Sequence, residues 1–139
     1  MNSARPTLSQ VIDTMQSMQG WENKYRQVIV WGKSLPTMSE QDKQASLAVA
    51  GCESQVWLTV TAQSGGTWWI QADSNARIVR GLIFVILVAY QGKSSADILA
   101  FDTEAYFAQL GLLSHLSPSR GNGLRAIVET IRQQVSGAH

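Results

Sequence analysis

Few residues of this chain have side chains suited to covalent chemistry. The only cysteine, Cys52, sits in the stretch AVAGCESQVWL, residues 48–58, directly after Gly51 and just before a segment that reads as a strand. Ionised, such a thiol is a nucleophile; protonated and buried, it is a small hydrophobe with no chemistry to do. Gly51 frees the backbone for a tight turn, so the thiol belongs to a loop between a helix and a strand and is reachable. Its immediate neighbours offer no cation to favour the thiolate, and Glu53 next to it would, if anything, raise the thiol pKa. Any activation comes from elsewhere in the fold or from a partner. His115 is the one histidine suited to act as a base toward Cys52, which would make a cysteine hydrolase, but the sequence supplies no recognisable third group to orient it. Cys52, His115 and the terminal His139 are too few soft or imidazole ligands for a zinc site or an iron–sulfur cluster. No metal and no cofactor is expected.

The elements that position these residues follow from periodicity. Pro6 and Thr7 open a helix carrying Leu8, Val11, Ile12, Met15 and Met18, ended by Gly20. A second helix spans roughly Trp21 to Trp31, with Trp21, Tyr25, Val28 and Ile29 on one face and Gly32 as its stop. The tetrapeptide SEQD, 39–42, resembles a capping box for a short third helix. From Gln55 the period becomes two: Val56, Leu58, Val60 and Ala62 alternate with more polar neighbours, SGG at 64–66 makes a hairpin turn, and TWWIQAD returns. Trp57, Trp68 and Trp69 pack in the core or on a sheet face. Asp73 and Ser74 hand over to a helix near 75–91, with Ser74 as its N-cap, and this helix is apolar nearly all round beyond Gly81. Shorter helices follow near 95–100 and 103–110. Ser117 as N-cap and Pro118 at the first helical position start the last helix, which carries Leu124, Ile127, Val128 and Ile131. The fold class is α+β, an antiparallel sheet with helices packed against it, in a single domain over 1–139.

Bulk properties narrow the functions. At 139 residues, 45% hydrophobic and 15% charged, the chain can bury a core of its own. A net charge of +1 builds in no attraction for nucleic acid or acidic membranes. The longest apolar run, GLIFVILVAY at 81–90, is half a membrane span, and no signal peptide is visible at the N-terminus. An unpaired thiol suits a reducing compartment, so the expected location is cytoplasmic.

Four blocks, in order, carry a family resemblance: WENKYRQVIVWGKSLP (21–36), GCESQVW (51–57), DSNARIVRGLI (73–83) and LGLLSHLSPSRGNGL (110–124). Together they resemble the SufE family, the cysteine-desulfuration proteins that serve iron–sulfur cluster assembly, over about residues 21–133. The resemblance implies the SufE/IscU-like fold and a sulfur carrier. Cys52 would take persulfide sulfur from a pyridoxal-phosphate cysteine desulfurase of the SufS or CsdA type, stimulating it, and pass the sulfur to a cluster scaffold or another acceptor. It also implies that Arg120 belongs to the motif beside the acceptor thiol, as an anion stabiliser or a partner contact. Gly121 and Gly123 each cost a helix up to about 1 kcal/mol against alanine, and close backbone approach is the expected compensation. The turn of Asp73 and Ser74 would lie near the cysteine loop, with Gly51 and Glu53 in that loop. Departures are few: Gly121 stands where the family often has a small polar residue, and Asn75 where it has an acid. The HLSPSR block looks closer to the SufE branch than to the CsdE branch. A homodimer is compatible with this reading; so are two other functions, the hydrolase above and a desulfurase-binding adaptor in which Cys52 is inert.

Overall fold

The structure is a computed structural model and describes residues 6–49 and 54–136. Three strands form one antiparallel sheet in the order β1 (Leu47–Ala48), β2 (Val56–Ala62), β3 (Trp68–Ser74). β2 pairs with β3 from Val56↔Ser74 to Ala62↔Trp68, while β1 meets only Leu58 and Trp57. The alternation read from the sequence sets the register. Val56, Leu58, Trp68, Ile70 and Ala72 are buried, whereas Trp69 on the opposite face is 43% exposed.

Among the described residues there are seven α-helices: α1 (Leu8–Ser17), α2 (Trp21–Lys33), α3 (Glu40–Gln44), α4 (Arg77–Tyr90), α5 (Ser95–Ala100), α6 (Thr103–Leu110) and α7 (Pro118–Ser136), with α3, α4 and α7 against the sheet. α4 is the core element, buried at eleven of its fourteen positions and packed against β3, α1, α2 and α7. Leu82, Ile83, Val85, Ile86 and Tyr90 are all but inaccessible. Caps set several boundaries. Thr7 makes a full capping box with Gln10, Ser39 Oγ accepts from the Asp42 N–H, and Ser117 Oγ accepts from the Arg120 N–H at 3.2 Å.

Three expectations fail here. Gly32 does not stop α2, which continues to Lys33. It lies where α2 crosses α4, and a Cβ on it would stand 2.8 Å from the Gly81 nitrogen. Tertiary contact, rather than a helix end, requires the glycine. Ser74 is not the N-cap of α4. The strand runs through it, Ala76 is the cap, and no side chain closes that end. Tyr25, placed with Val28 on one face of α2, is 40% exposed while Val28 is fully buried.

Candidate functional site

Cys52, Gly51 and Glu53 lie outside the described residues; what the structure places is the chain that leaves them. Arg120, in the first turn of α7, donates from Nη1 to Ser54 Oγ at 3.1 Å. The next residue is held by its backbone. The Gln55 N–H donates to Asn75 Oδ1 at 3.2 Å, and Ser74 Oγ donates to the Gln55 carbonyl at 2.7 Å. Ser74 Oγ also accepts from the Ala76 N–H at 3.2 Å, so one hydroxyl joins the end of β3 to the start of β2.

Asp73 supports this turn from below. It is 2% exposed, and a buried carboxylate persists only when its oxygens are satisfied. Oδ2 accepts from the Met38 N–H at 3.0 Å and Oδ1 from the Ser74 N–H at 2.8 Å; Oδ1 also forms a close ion pair with Arg80 Nη1. The second guanidinium nitrogen of Arg80 donates to the Leu35 carbonyl at 2.5 Å. Asp73 therefore ties the 35–38 segment, the end of β3 and α4 together, a role different from the helix capping read in the sequence. Removing either charge leaves the other buried without its partner, which costs about 3–5 kcal/mol in comparable pairs.

Beside Ser54 is a recess walled by Val56, Val79, Leu82, Leu124 and Ile127 and rimmed by Ser54, Ser119 and Arg120. Gly121 and Gly123 are both buried in α7, and Gly123 lines this recess. The lining is apolar apart from Ser54, Ser119 and Arg120, and the guanidinium offers a cation to an anion held beside it.

His115 is exposed and lies in a short 3-10 turn, Leu113–His115, where its ring stacks on Trp21 at 4.9 Å between centroids. Among the described residues no carboxylate accepts from that ring, so the third group a hydrolase needs is not supplied there. No group of three His, Cys, Asp or Glu side chains among the described residues is placed to hold a metal ion, and no helix is long and apolar enough to cross a membrane.

The sequence reading assigned no role at the site to three residues that hold it together: Ser54, Asn75 and Arg80. All three stand inside or next to the blocks singled out there. Ser54 and Asn75 stand as polar residues next to strand ends and Arg80 as a charge inside an apolar helix, but their partners lie 66, 20 and 7 residues away in sequence.

Comparison with known proteins points to the same family. Residues 9–135 match the family described as SufE: Fe-S metabolism associated domain. The sulfur acceptor protein CsdE of Escherichia coli K12 is 43% identical over 119 residues, covering 86% of this chain and 81% of that protein. An uncharacterized SufE-like protein of Rhizobium etli is 42% identical over 132 residues, covering 92% and 88% of the two chains. Among solved structures, the solution structure of a hypothetical protein from Thermus thermophilus superposes with a TM-score of 0.77. Its identity is 18% and 98% of each chain is covered, a likeness of fold.

Proposed function

The chain belongs to the SufE family, and on that premise we propose that it is a sulfur acceptor of iron–sulfur metabolism, with Cys52 as the acceptor thiol. The donor is a pyridoxal-phosphate cysteine desulfurase carrying a persulfide on its own cysteine. The Cys52 thiolate attacks the outer sulfur of that persulfide, and a new S–S bond forms as the old one breaks. The desulfurase cysteine leaves as thiolate, so the sulfane sulfur moves with no net oxidation or reduction. Removing the persulfide frees the desulfurase for another turnover, which is the source of stimulation. The sulfur then passes to a cluster scaffold or another thiol acceptor. A lone thiol suits this carrier role, because a second cysteine nearby would resolve the persulfide into a disulfide and release sulfide.

The observation that carries the reading is Arg120 bonded to Ser54 beside an apolar recess. Ser54 is two residues from Cys52 along the chain, a covalent span of at most about 7 Å between Cα atoms. On this reading the Arg120 guanidinium is within reach of the acceptor sulfur, where its fixed charge would favour thiolate and persulfide anion over their protonated forms. Glu53 opposes this locally, so the arginine is the activating group the sequence around Cys52 lacks. A cytoplasmic location accords with an unpaired, reactive thiol.

The test is Cys52→Ser. The variant folds as wild type does and no longer stimulates a cysteine desulfurase. Mass spectrometry of the wild-type protein after incubation with desulfurase and cysteine finds one added sulfur, about 32 Da, on Cys52. Undiminished stimulation by the serine variant would end the acceptor reading in favour of an adaptor.

A further inference from the structure

The elements before Cys52 in the chain are short, α3 of five residues and β1 of two. Neither length sustains itself in water, so both depend on what fastens them to β2. β1 contributes the pairs Leu47↔Leu58 and Ala48↔Trp57. Within the turn that joins α3 to β1, the Ser46 hydroxyl and N–H both donate to the Lys43 carbonyl, at 2.6 and 3.2 Å. The side chain that crosses to the sheet is Lys43. Its ammonium stands over the Trp57 ring, 4.1 Å from the centroid, and it makes no ion pair with a carboxylate among the described residues. Both side chains are half-buried, so water screens the contact less than it would at an open surface. Trp57 is itself fixed, because its strand is paired on both sides, with Ala48 and with Asp73.

We propose that Lys43 is a positioning residue for sulfur acceptance, an assignment that rests on Cys52 being the acceptor. By gripping Trp57 it fastens α3 and β1, which precede Cys52 in the chain, against β2, which follows it. The chain after Cys52 is held by hydrogen bonds through Ser54 and Gln55; the elements before it are held by a cation on an aromatic face. The grip is charge-specific. Methionine has nearly the shape of lysine without the charge, and arginine keeps a cation that stacks well on an indole.

The experiment uses the full chain with Lys43→Met and Lys43→Arg. Amide hydrogen exchange is read at Leu47 and Leu58, and at Ile70 as an internal control on the far strand. Iodoacetamide reactivity of Cys52 is read across pH. In Lys43→Met, exchange at Leu47 and Leu58 accelerates about threefold or more, the factor one modest cation–π contact carries. Alkylation at the alkaline plateau speeds up with it, and Ile70 is unchanged. Lys43→Arg stays within about twofold of wild type on every readout. The proposal is overturned if Lys43→Met stays within twofold at Leu47, Leu58 and Cys52, or if Lys43→Arg is as loose as Lys43→Met. Acceleration at Ile70 to the same degree would overturn it too, since the effect would then be global. These readouts need no desulfurase. Failure of the acceptor reading, seen as stimulation retained in Cys52→Ser, is therefore separate from failure of the Lys43 assignment.

Discussion

Replacing Gly81 with alanine tests the packing that carries the site. At that position α4 crosses α2, and a Cβ would lie 2.0 Å from the Val28 carbonyl oxygen and 2.6 Å from Val28 Cγ1. A carbon needs about 3.3 Å from a carbonyl oxygen. The helices must therefore separate locally by roughly 1.3 Å, and the obstruction is backbone that cannot rotate away. Overpacking of this kind costs about 1–3 kcal/mol, and the rigid obstacle places Gly81→Ala at or above the upper end. Alanine returns up to about 1 kcal/mol through its helix propensity. The net loss is about 2 kcal/mol or more. At this chain length that lowers Tm by about 6–10 °C. The same change at Gly32 meets the Gly81 nitrogen at 2.8 Å, a milder clash, so Gly32→Ala loses about 1 kcal/mol or less after the propensity gain. Urea denaturation with an unchanged m-value and thermal melting both read the difference. Adding Val28→Ala to Gly81→Ala does not rescue it, because the carbonyl oxygen remains. Gly81→Ala within about 0.5 kcal/mol of wild type, or rescue by Val28→Ala, refutes the account of the crossing.

Three further outcomes are expected. Arg120→Ala weakens sulfur acceptance without unfolding the chain and moves the alkaline midpoint of Cys52 alkylation up, by up to about one or two pH units; Arg120→Lys falls between it and wild type if the two-pronged donor geometry matters, and a match of Arg120→Ala to wild type in both assays removes the arginine from the site. Burial holds the Tyr106 phenol well above its ordinary pKa of about 10, with its hydroxyl donating to the Val85 carbonyl at 2.9 Å. The unfolded chain thus gives up this proton near pH 10 while the folded one keeps it, so the contribution is complete below pH 10 and lost as pH climbs beyond it; Tyr106→Phe makes stability fall less steeply above pH 10, and an unchanged slope contradicts the assignment. Gln91 closes the outer edge of β3, accepting from the Ile70 N–H and donating to the Ile70 carbonyl, both at 2.7 Å, so Gln91→Leu speeds amide exchange at Ile70 while leaving Thr61, on the inner pairing, protected.

Much of the architecture is written in local pattern. The period-two alternation over 56–62 and 68–72 fixes which face of the hairpin is buried, because successive side chains of a strand must point opposite ways. The nearly continuous apolar run of α4 can be stable only inside, and Ser117–Pro118 begins α7 by capping geometry that needs no tertiary partner. The proposed acceptor role of Cys52 rests on sequence alone, on its being the sole cysteine and standing in one of four ordered blocks that carry the family resemblance. Tertiary structure decided the rest. Gly32 and a helix stop look alike in sequence, since glycine serves both a chain end and a close crossing, and only the approach of Gly81 distinguishes them. Asp73 and Ser74 look like caps because short polar residues before an apolar run usually are. Their real partners, Arg80, Met38, Leu35 through Arg80, and Gln55, are set by how β3 meets α4 and the 35–38 segment. The pairing of Arg120 with Ser54 spans 66 residues and exists because α7 packs its first turn against the start of β2. Local sequence dictates the elements through forces that act within a few residues. Charges and hydroxyls find their partners only after burial brings distant segments together, and burial is a property of the whole chain.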